Sequence, residues 1–411
     1  MENTTNRGFA KAYITPKGER MLRDGHPWVY ADEVTNTPNA EDGELVDVLS
    51  QKDRYLGTGF INSRSKIRIR VISDNANDRF DEAFFERRVK YAVDYRRTVM
   101  GEDFSACRLI FGEADRFPGL TVDRFDNVLV AQTLSLGIEK RKNIIFPAIV
   151  KYLRECGERI DTFYERNDVA IRELEGMKEY KAFYTREGLD LSSEGDGFCD
   201  ITENGIRYTV DYMNGQKTGF FLDQKYNRMA IRRIAKGRRV LDCFTHTGAF
   251  ALNAAAAQAE SVTAVDVSEL ALDAANKNAA MNGFTNFKTL KADVFELLTN
   301  MCSEKRHDFD FIILDPPAFT KSRSTVKDAY RGYKDINYRA MKILPRGGYL
   351  ATCSCSHFMP NELFVKMLRD AAHDAAVTLR QIEERRQSPD HPILWNVPET
   401  EYLKFYIFQI V

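Results

Sequence analysis

The chain has 411 residues, enough for two or three domains, and 44% of them are hydrophobic, as in an ordinary globular protein. Its 59 lysines and arginines nearly balance 60 acidic residues, so any affinity for nucleic acid must come from local positive patches. No apolar run approaches the ~18 residues of a membrane-spanning helix, and we expect no membrane partner. The 7 cysteines lack zinc spacing and follow no secretory signal, which favours reduced thiols in a cytoplasmic protein without a bound metal.

Residues 1–75 contain short β-type segments separated by turns, which predicts a small all-β barrel. The segments lie at 11–14, 25–30, 45–49, 55–60 and 67–72. Every second residue is a cation in the stretch that leads into the segment at 67–72 and continues through its first half: Arg64, Lys66, Arg68 and Arg70. Alternation along a strand would place these cations on one face, where they could follow a phosphate backbone or simply meet solvent.

A polar stretch at 73–78 predicts a linker to a second, α+β domain that spans 76–195. Apolar residues at helical spacing predict a helix from Glu82 to about Met100. Further on, we expect strands at 107–111, 128–131 and 161–165 and a helix over about 140–156.

Residues 196–411 begin with a predicted hairpin at 206–211 and then alternate between strand and helix patterns. The alternation predicts right-handed βαβ units and a doubly wound α/β sheet. Strands are expected at 239–242, 261–266, 287–293, 309–315, 348–354 and 403–410. Helices are expected from 249, over 268–282, over 333–344 and from 361.

Three acidic residues each end a predicted strand of this sheet: Asp242, Asp266 and Asp293. Ligands of such sheets bind beyond the carboxyl ends of the strands, near the point where the strand order reverses. Asp266 could accept both hydroxyls of a ribose, and Gly248 has no Cβ to hold a ligand away from the backbone. The turn lacks a complete GxGxxG, which favours S-adenosylmethionine (SAM) over a dinucleotide. Alternatively, the acids are helix N-caps.

A possible site for a nucleic-acid base follows the next predicted strand. Asp315 ends that strand, and Pro316 and Pro317 after it make a rigid bend at which the strand must stop. The bend would direct the Asp315 carboxylate into the same crevice, and Phe319 offers an aromatic face for a base. Basic residues and tyrosines then alternate over 321–334, which favours a loop that contacts RNA over a solvated one.

Two cysteines near the end of the strand at 348–354 are candidate nucleophiles. Carbon 5 of a pyrimidine attacks a sulfonium methyl group only after a thiolate has added to carbon 6, and an acid at N3 can stabilise the adduct. Alternation places Cys353 and Cys355 on the same face, so geometry alone does not choose between them. Cys355 lies nearer the carboxyl end of the strand, which favours it, although both could be buried structural thiols.

Over nearly its whole length, the chain resembles the bacterial large-subunit (23S) rRNA cytosine-C5 methyltransferases. Three segments carry the resemblance: 26–30, 112–125 and 214–224. It implies a Rossmann-like class I SAM-dependent methyltransferase domain at 196–411, preceded by a PUA-like RNA-binding domain at 1–75 and a central α+β domain at 76–195. One departure is His246-Thr247-Gly248-Ala249, where the family has Tyr-Thr-Gly-Gly.

The resemblance also implies roles for individual residues. SAM contacts fall on Asp242, Phe244, Thr245, Gly248, Asp266 and Asp293. The nucleophile of the family's Ser-Cys-Ser motif falls on Cys355, which supports it over Cys353, and Asp315 would act at N3. Other candidate RNA contacts are Pro316, Pro317, Phe319, Arg64, Lys66 and Arg68.

The implied substrate is 23S rRNA, naked or partly assembled, because a base within a helix is out of reach of the site. A homodimer is left open. Two other functions remain. A guanine-N methyltransferase on this scaffold would need Asp315 and Phe319 but no thiol, and an RNA chaperone would carry a degenerate SAM site.

Overall fold

The computed structural model describes residues 7–320 and 322–411, which form two compact units that alternate along the chain. Unit 1 contains residues up to Ile201, Val210–Leu222 and Pro389–Thr400. Unit 2 contains Thr202–Thr209, Asp223–Ser388 and Glu401–Val411. The predicted domain boundaries after residues 75 and 195 stay predictions. In the described part of the chain, no helix is both long and apolar enough to cross a membrane.

The first sheet of unit 1 has five strands in the order β1-β3-β4-β5-β2. They are β1 (Ala10–Tyr13), β2 (Trp28–Tyr30), β3 (Leu45–Leu49), β4 (Tyr55–Ile61) and β5 (Ile67–Ser73), with helix α1 (Pro16–Arg23) after β1. A bridge between Ile14 and Val34 links the segments that follow the two outer strands, so the sheet curls toward a closed barrel. Val29, Val46 and Ile69 fill its interior. The predicted strands are confirmed, whereas α1 was not predicted.

The second sheet of unit 1 has the order β10-β9-β8-β7-β6. Its strands are β6 (Ala106–Phe111), β7 (Leu120–Phe125), β8 (Val128–Thr133), β9 (Thr162–Asn167) and β10 (Tyr180–Phe183). Its helices are α2 (Glu82–Met100), α3 (Leu136–Glu139), α4 (Lys142–Glu155) and α5 (Ile171–Leu174). Strands β8 and β9 run parallel, and the other neighbours run antiparallel. The bounds of α2 match the prediction, because Asp81 caps the helix and Gly101 ends it.

A hairpin of β11 (Phe198–Glu203) and β12 (Ile206–Asp211) follows. Its turn residues Asn204 and Gly205 both have positive φ angles, 54° and 73°, as a tight hairpin turn requires. The prediction located the second strand but took that segment for the whole hairpin.

Unit 2 contains a seven-stranded sheet in the order β15-β14-β13-β16-β17-β19-β18. Its strands are β13 (Arg239–Cys243), β14 (Ser261–Asp266), β15 (Phe287–Lys291), β16 (Phe311–Leu314), β17 (Tyr349–Ser354), β18 (Leu379–Arg385) and β19 (Lys404–Ile410). Its helices are α6 (Lys225–Ala230), α7 (Arg232–Ala235), α8 (Ala249–Ala256), α9 (Glu269–Met281), α10 (Val294–Ser303), α11 (Val326–Ile343) and α12 (Asn361–Ala375).

The strand order of this sheet reverses between β13 and β16, which pair in parallel. The doubly wound fold is thus confirmed, and the switch point lies where Asp242 and Asp315 follow apolar residues. The last strand differs from the predicted alternation, because β19 runs antiparallel to both β17 and β18. This reversal brings the start of β19 beside the end of β17.

Candidate active site

The turn between β13 and α8 alternates left-handed and ordinary backbone conformations. Phe244, His246 and Gly248 have φ angles of 62°, 51° and 84°. A Cβ added to Gly248 would lie 2.9 Å from the Cβ of Ala275 in α9, so contact with that helix also requires glycine. The sequence explained this glycine by the approach of a ligand, and the structure adds a backbone angle and a helix contact.

Asp242 lies beneath this turn and is only 1% exposed. Its Oδ2 accepts hydrogen bonds from Thr245 Oγ1 at 2.6 Å and from the backbone N–H of Ala251 at 3.0 Å. Its Oδ1 has no hydrogen-bond partner among the described residues. Burial, reinforced by the negative charges of Asp315 and Asp266, raises the pKa of Asp242 to about 7. A buried carboxylate oxygen without a partner fits a polar or cationic ligand group.

Asp266 ends β14 and holds the same turn from the other side. Its Oδ2 accepts the backbone N–H of His246 at 2.9 Å, and its Oδ1 accepts that of Ser268 at 3.0 Å. Because each carboxylate oxygen can accept two hydrogen bonds, both retain capacity for ribose hydroxyls. Val267, the next residue, is 62% exposed and offers an apolar surface beside them.

Asp293 does not end a strand, which corrects the expectation from the sequence. Strand β15 stops at Lys291, and Asp293 is the N-cap of α10. Its Oδ1 accepts the backbone N–H groups of Phe295 and Glu296 at 2.8 and 3.1 Å. The helix-cap interpretation therefore applies to this acid, whose exposed side chain also borders the ends of the strands.

An aromatic row lines the crevice between the two predicted subsites. The ring of Phe319 lies 6.5 Å from Phe244, 5.8 Å from Phe295 and 4.5 Å from Tyr333, measured between centroids. Phe319 is half-buried, so one side of its ring packs on the protein. The row continues from the predicted cofactor turn to the predicted base slot.

Asp315 follows β16, and Pro316 after it is buried while Pro317 is exposed. Gln224 Nε2 donates a hydrogen bond to Asp315 Oδ1 at 3.0 Å, and the Cys353 thiol also bonds this carboxylate. Burial, together with the negative charge of Asp223, raises the pKa of Asp315 to about 7. At neutral pH this carboxyl group is therefore available both as an acid and as a carboxylate.

The two candidate cysteines have different surroundings. Cys353 lies within β17 opposite Phe405 and is fully buried, and burial raises its thiol pKa well above the usual value. Strand β17 ends at Ser354, so Cys355 lies beyond the strand and the argument from alternation does not hold for it. Cys355 is partly exposed, and its Sγ lies 4.0 Å from the carbonyl oxygen of Pro316.

Three further residues lie around this cysteine and Asp315: Gln224, Tyr333 and Lys404. Gln224 and Tyr333 belong to the segments 214–224 and 321–334 noted in the sequence, without a role at this site, whereas Lys404 was not predicted. Tyr333 Oη shares a 2.9 Å hydrogen bond with Ser356 Oγ. Lys404 Nζ donates to the Ser356 carbonyl oxygen at 2.7 Å. Only the antiparallel pairing of β19 with β17 brings Lys404 here, and no sequence motif indicates that pairing.

The predicted cations of the first sheet do not share one strand. Strand β5 begins at Ile67, so Arg64 and Lys66 precede it and are exposed, while Arg68 is half-buried. Arg70 forms ion pairs with Glu113 and Glu175 of unit 1, at 3.3 and 3.0 Å, and its side chain is 13% exposed. Arg70 therefore has a structural partner, and the outward-facing charges are those of Arg64 and Lys66.

The predicted basic loop is also corrected. Its first residue, Lys321, lies outside the described residues, and most of the segment belongs to α11. Tyr333 is buried, and Lys334 pairs with Asp374 at 2.6 Å. Most of this segment is therefore a helix and not a loop. Its cations Arg323, Lys327 and Arg331 are exposed, and their contact with RNA stays a prediction.

Comparisons with known proteins identify the family to which this chain belongs. The family described as S-adenosylmethionine-dependent methyltransferase matches residues 144–408, and the PUA-like domain family matches residues 12–74. Ribosomal RNA large subunit methyltransferase I of Klebsiella pneumoniae (strain 342) is 37% identical over 99% of this chain and 100% of its own length. The protein of the same name from Photobacterium profundum is 41% identical over 95% of this chain and 97% of its own.

Solved structures show the same fold. A provisionally assigned SAM-dependent methyltransferase from Streptococcus mutans superposes with a TM-score of 0.80 at 22% identity, covering 97% of this chain and 99% of that one. A provisionally assigned methyltransferase solved with S-adenosylhomocysteine (SAH) reaches a TM-score of 0.81 at 21% identity, with the same coverage. The predicted fold, cofactor and enzyme class are thus confirmed, and the chain belongs to the SAM-dependent methyltransferase family that includes ribosomal RNA large subunit methyltransferase I.

Proposed function

We propose that this methyltransferase forms 5-methylcytosine in large-subunit (23S) rRNA, with Cys355 as the nucleophile. The observation that carries the proposal is the position of the Cys355 thiol, 4.0 Å from the carbonyl oxygen of Pro316 in the bend after Asp315. The relatives at 37–41% identity, whose names specify large-subunit ribosomal RNA, support the substrate class.

The cofactor site fits SAM on the evidence of its own residues. The Asp242 oxygen without a partner would satisfy the cationic amino group of the methionine part, and Asp266 would accept the ribose hydroxyls. Phe244, Thr245 and Gly248 shape the turn, and Asp293 borders the adenine side. When bound, SAM supplies an electrophilic methyl group.

The base would enter beside Asp315 and Cys355. The Cys355 thiolate adds to carbon 6 of the cytosine, and the Asp315 carboxyl group donates its proton to N3, which neutralises the charge that the addition creates. A carboxyl group with a pKa of about 7 suits this exchange, since both protonation states are populated near neutral pH. Once carbon 5 holds the methyl group that SAM would supply, a base removes the carbon 5 proton and the bond between carbon 6 and the Cys355 sulfur breaks. N3 then returns its proton to Asp315.

RNA would approach through the exposed cations Arg64 and Lys66 and the half-buried Arg68 of the PUA-like domain, which would contact phosphates without reading sequence. Pro316, Pro317 and Phe319 would form the walls of the base slot. A flipped or splayed base is needed, so naked or partly assembled rRNA is the proposed substrate and the cytoplasm the proposed compartment. The homodimer stays a prediction for sedimentation analysis.

The test is to incubate the protein with unmodified 23S rRNA and methyl-labelled SAM, digest the RNA and identify the labelled nucleoside. We expect 5-methylcytidine. Labelled methylguanosine would instead support a guanine-N enzyme. Failure to bind SAM in calorimetry would support an RNA chaperone, although the intact Asp242, Gly248 and Asp266 set argues against that function.

A further inference from the structure

Lys404 is a buried cation beside the proposed nucleophile. It begins β19, and its backbone pairs with that of Ser354, the last residue of β17. The side chain is almost inaccessible to solvent, with the residue 3% exposed. A lysine is seldom buried to this extent without a partner of opposite charge or a function that uses its charge.

Two carbonyl oxygens hold the Lys404 ammonium group in place. Nζ donates to the carbonyl oxygens of Ser356 at 2.7 Å and Tyr402 at 2.8 Å. Ser356 directly follows Cys355, so the cation is tied to the loop that presents the thiol. Carbonyl groups are neutral, so these two hydrogen bonds by themselves do not compensate the positive charge.

Two other titratable groups in the described part of the chain act on this thiol, Cys353 and Tyr333, and neither is a cation. Cys353 is buried within β17, and burial raises its pKa well above the usual value. Burial also raises the pKa of Tyr333 on α11 to about 12, so both groups are neutral at physiological pH.

The charge of Lys404 responds to its surroundings. Burial lowers its pKa to about 8, while the negative charges of Cys355 and Glu401 oppose that change and the positive charge of Arg386 adds to it. At neutral pH most of the side chain is therefore still protonated, and two negative groups stabilise its charge, the thiolate of Cys355 and the carboxylate of Glu401.

We propose that Lys404 is a positioning residue for the nucleophile: its ammonium group stabilises the Cys355 thiolate that attacks the base. This inference rests on the proposed function only in the role that it gives Cys355. The proton of the thiol leaves to water, Lys404 stays protonated, and the sulfur keeps the electron pair that forms the bond to carbon 6.

The experiment measures the reactivity of Cys355 in the free protein, so it does not depend on which nucleoside is methylated. The rate of alkylation by iodoacetamide is followed against pH, and peptide fragmentation separates Cys355 from Cys353. Lys404→Met removes the charge at similar volume, Lys404→Arg keeps it, and Cys355→Ser is the blank.

We expect Lys404→Met to move the midpoint of the alkylation profile to higher pH, because a cation within ~4–6 Å favours a thiolate by roughly one pKa unit or more. Near neutral pH the rate should fall about tenfold, and Lys404→Arg should restore most of it. An unchanged midpoint in Lys404→Met, with only the plateau altered, would mean that the lysine merely holds the loop, and the proposal would be wrong.

A reciprocal measurement covers the case in which Lys404→Met does not fold. Coupling between two charges acts equally on both, so removing the thiolate must change the titration of the lysine. With ¹³C-labelled lysine and Lys404→Arg for assignment, we expect the NMR titration midpoint of Lys404 to fall in Cys355→Ser. An identical midpoint in the wild type and Cys355→Ser would overturn the proposal.

Discussion

At the scale of single residues, burial separates side chains that look equivalent in the sequence. Cys353 and Cys355 are two positions apart, but one thiol is buried in the sheet core and the other lies beyond the strand. Burial disfavours a thiolate because the charge loses its hydration. The same effect keeps Asp242 and Asp315 protonated to a far higher pH than ordinary carboxyl groups.

The two cysteines should respond differently to substitution. RNA that contains 5-fluorocytidine cannot lose a proton from carbon 5, so a cysteine adduct on that base persists through denaturing electrophoresis. We expect the wild type and Cys353→Ser to form this adduct and Cys355→Ser to form none, with a loss of methylation of at least ~10²-fold. An adduct that survives Cys355→Ser but not Cys353→Ser would reverse the assignment.

Asp242 should make stability depend on pH. Its pKa in the folded state, about 7, exceeds the reference value of 3.8, so its protonated form stabilises the fold. That contribution is complete below the reference pKa and is lost as the pH rises through about 7. Asn at this position cannot titrate, yet its side-chain oxygen can still accept the bonds from Thr245 and Ala251.

Without SAM, we therefore expect Asp242→Asn to gain stability relative to the wild type as the pH is raised from ~5 to ~8.5. The gain should be about 1.4 kcal/mol for each pH unit between ~5 and the folded-state pKa of about 7, because the unfolded carboxyl group is already ionised at pH ~5. Urea unfolding at the two pH values measures it, and SAM affinity should fall in the same variant. A stability difference that does not change with pH would contradict the raised pKa.

At the scale of elements, the turn between β13 and α8 depends on contacts with two other segments. Asp266 at the end of β14 accepts the N–H of His246, and α9 leaves no space beside Gly248. Local sequence predicted the strand, the turn and the helix. It did not indicate that three residues of the turn would have positive φ, because the neighbouring segments impose that conformation.

Gly248 and Gly347 form a matched pair for testing this turn. Their φ angles are +84° and +85°, but a Cβ at Gly347 would meet no described atom within 4 Å, whereas one at Gly248 would meet Ala275. Both alanine variants should lose about 1–2 kcal/mol from backbone strain. We expect Gly248→Ala to lose at least ~1 kcal/mol more in urea unfolding, as overpacked sites do, and to bind SAM more weakly in calorimetry. Equal losses in the free energy of unfolding would show that α9 accommodates the added methyl group at Gly248 without a measurable cost.

At the scale of the whole molecule, each compact unit consists of several segments that are separate in the sequence. Residues 389–400 return to unit 1, where buried Arg96 holds the Asp390 carbonyl oxygen at 2.9 Å and the Asp115 carboxylate on its other side. Arg108 N–H also donates to Asp390 Oδ2 at 2.8 Å. Such long-range bonds leave no periodic signal in the sequence.

The exposed cations of the PUA-like domain give a prediction for the intact protein with RNA. We expect Arg64→Ala/Lys66→Ala to weaken 23S rRNA binding and to reduce the slope of log K against log salt by about 0.7–0.9 for each phosphate that the variant no longer neutralises. The control is Lys52→Ala/Arg54→Ala, which removes two exposed cations from the turn between β3 and β4 of the same sheet. Equal effects of the two pairs would indicate only nonspecific attraction.

The sequence by itself determined most strands and helices, the class of fold and the cofactor, because apolar periodicity and strand-end acids are local features. The sequence did not indicate β7. Asp123 in this strand is buried and pairs with Arg108 at 2.7 Å, and a charged residue of this kind makes a buried strand resemble an exposed polar segment in the sequence. The sequence also did not indicate β18, a mostly polar edge strand.

Only the tertiary structure decided which thiol is accessible, that Asp293 caps a helix, and that Lys404 lies beside Cys355. Lys404 is 48 residues from the carbonyl group that it binds, and Gln224 is 91 residues from Asp315. Burial and long-range strand pairing arise when distant segments pack together, and the physical effects that tune this site, desolvation and charge proximity, exist only after that packing.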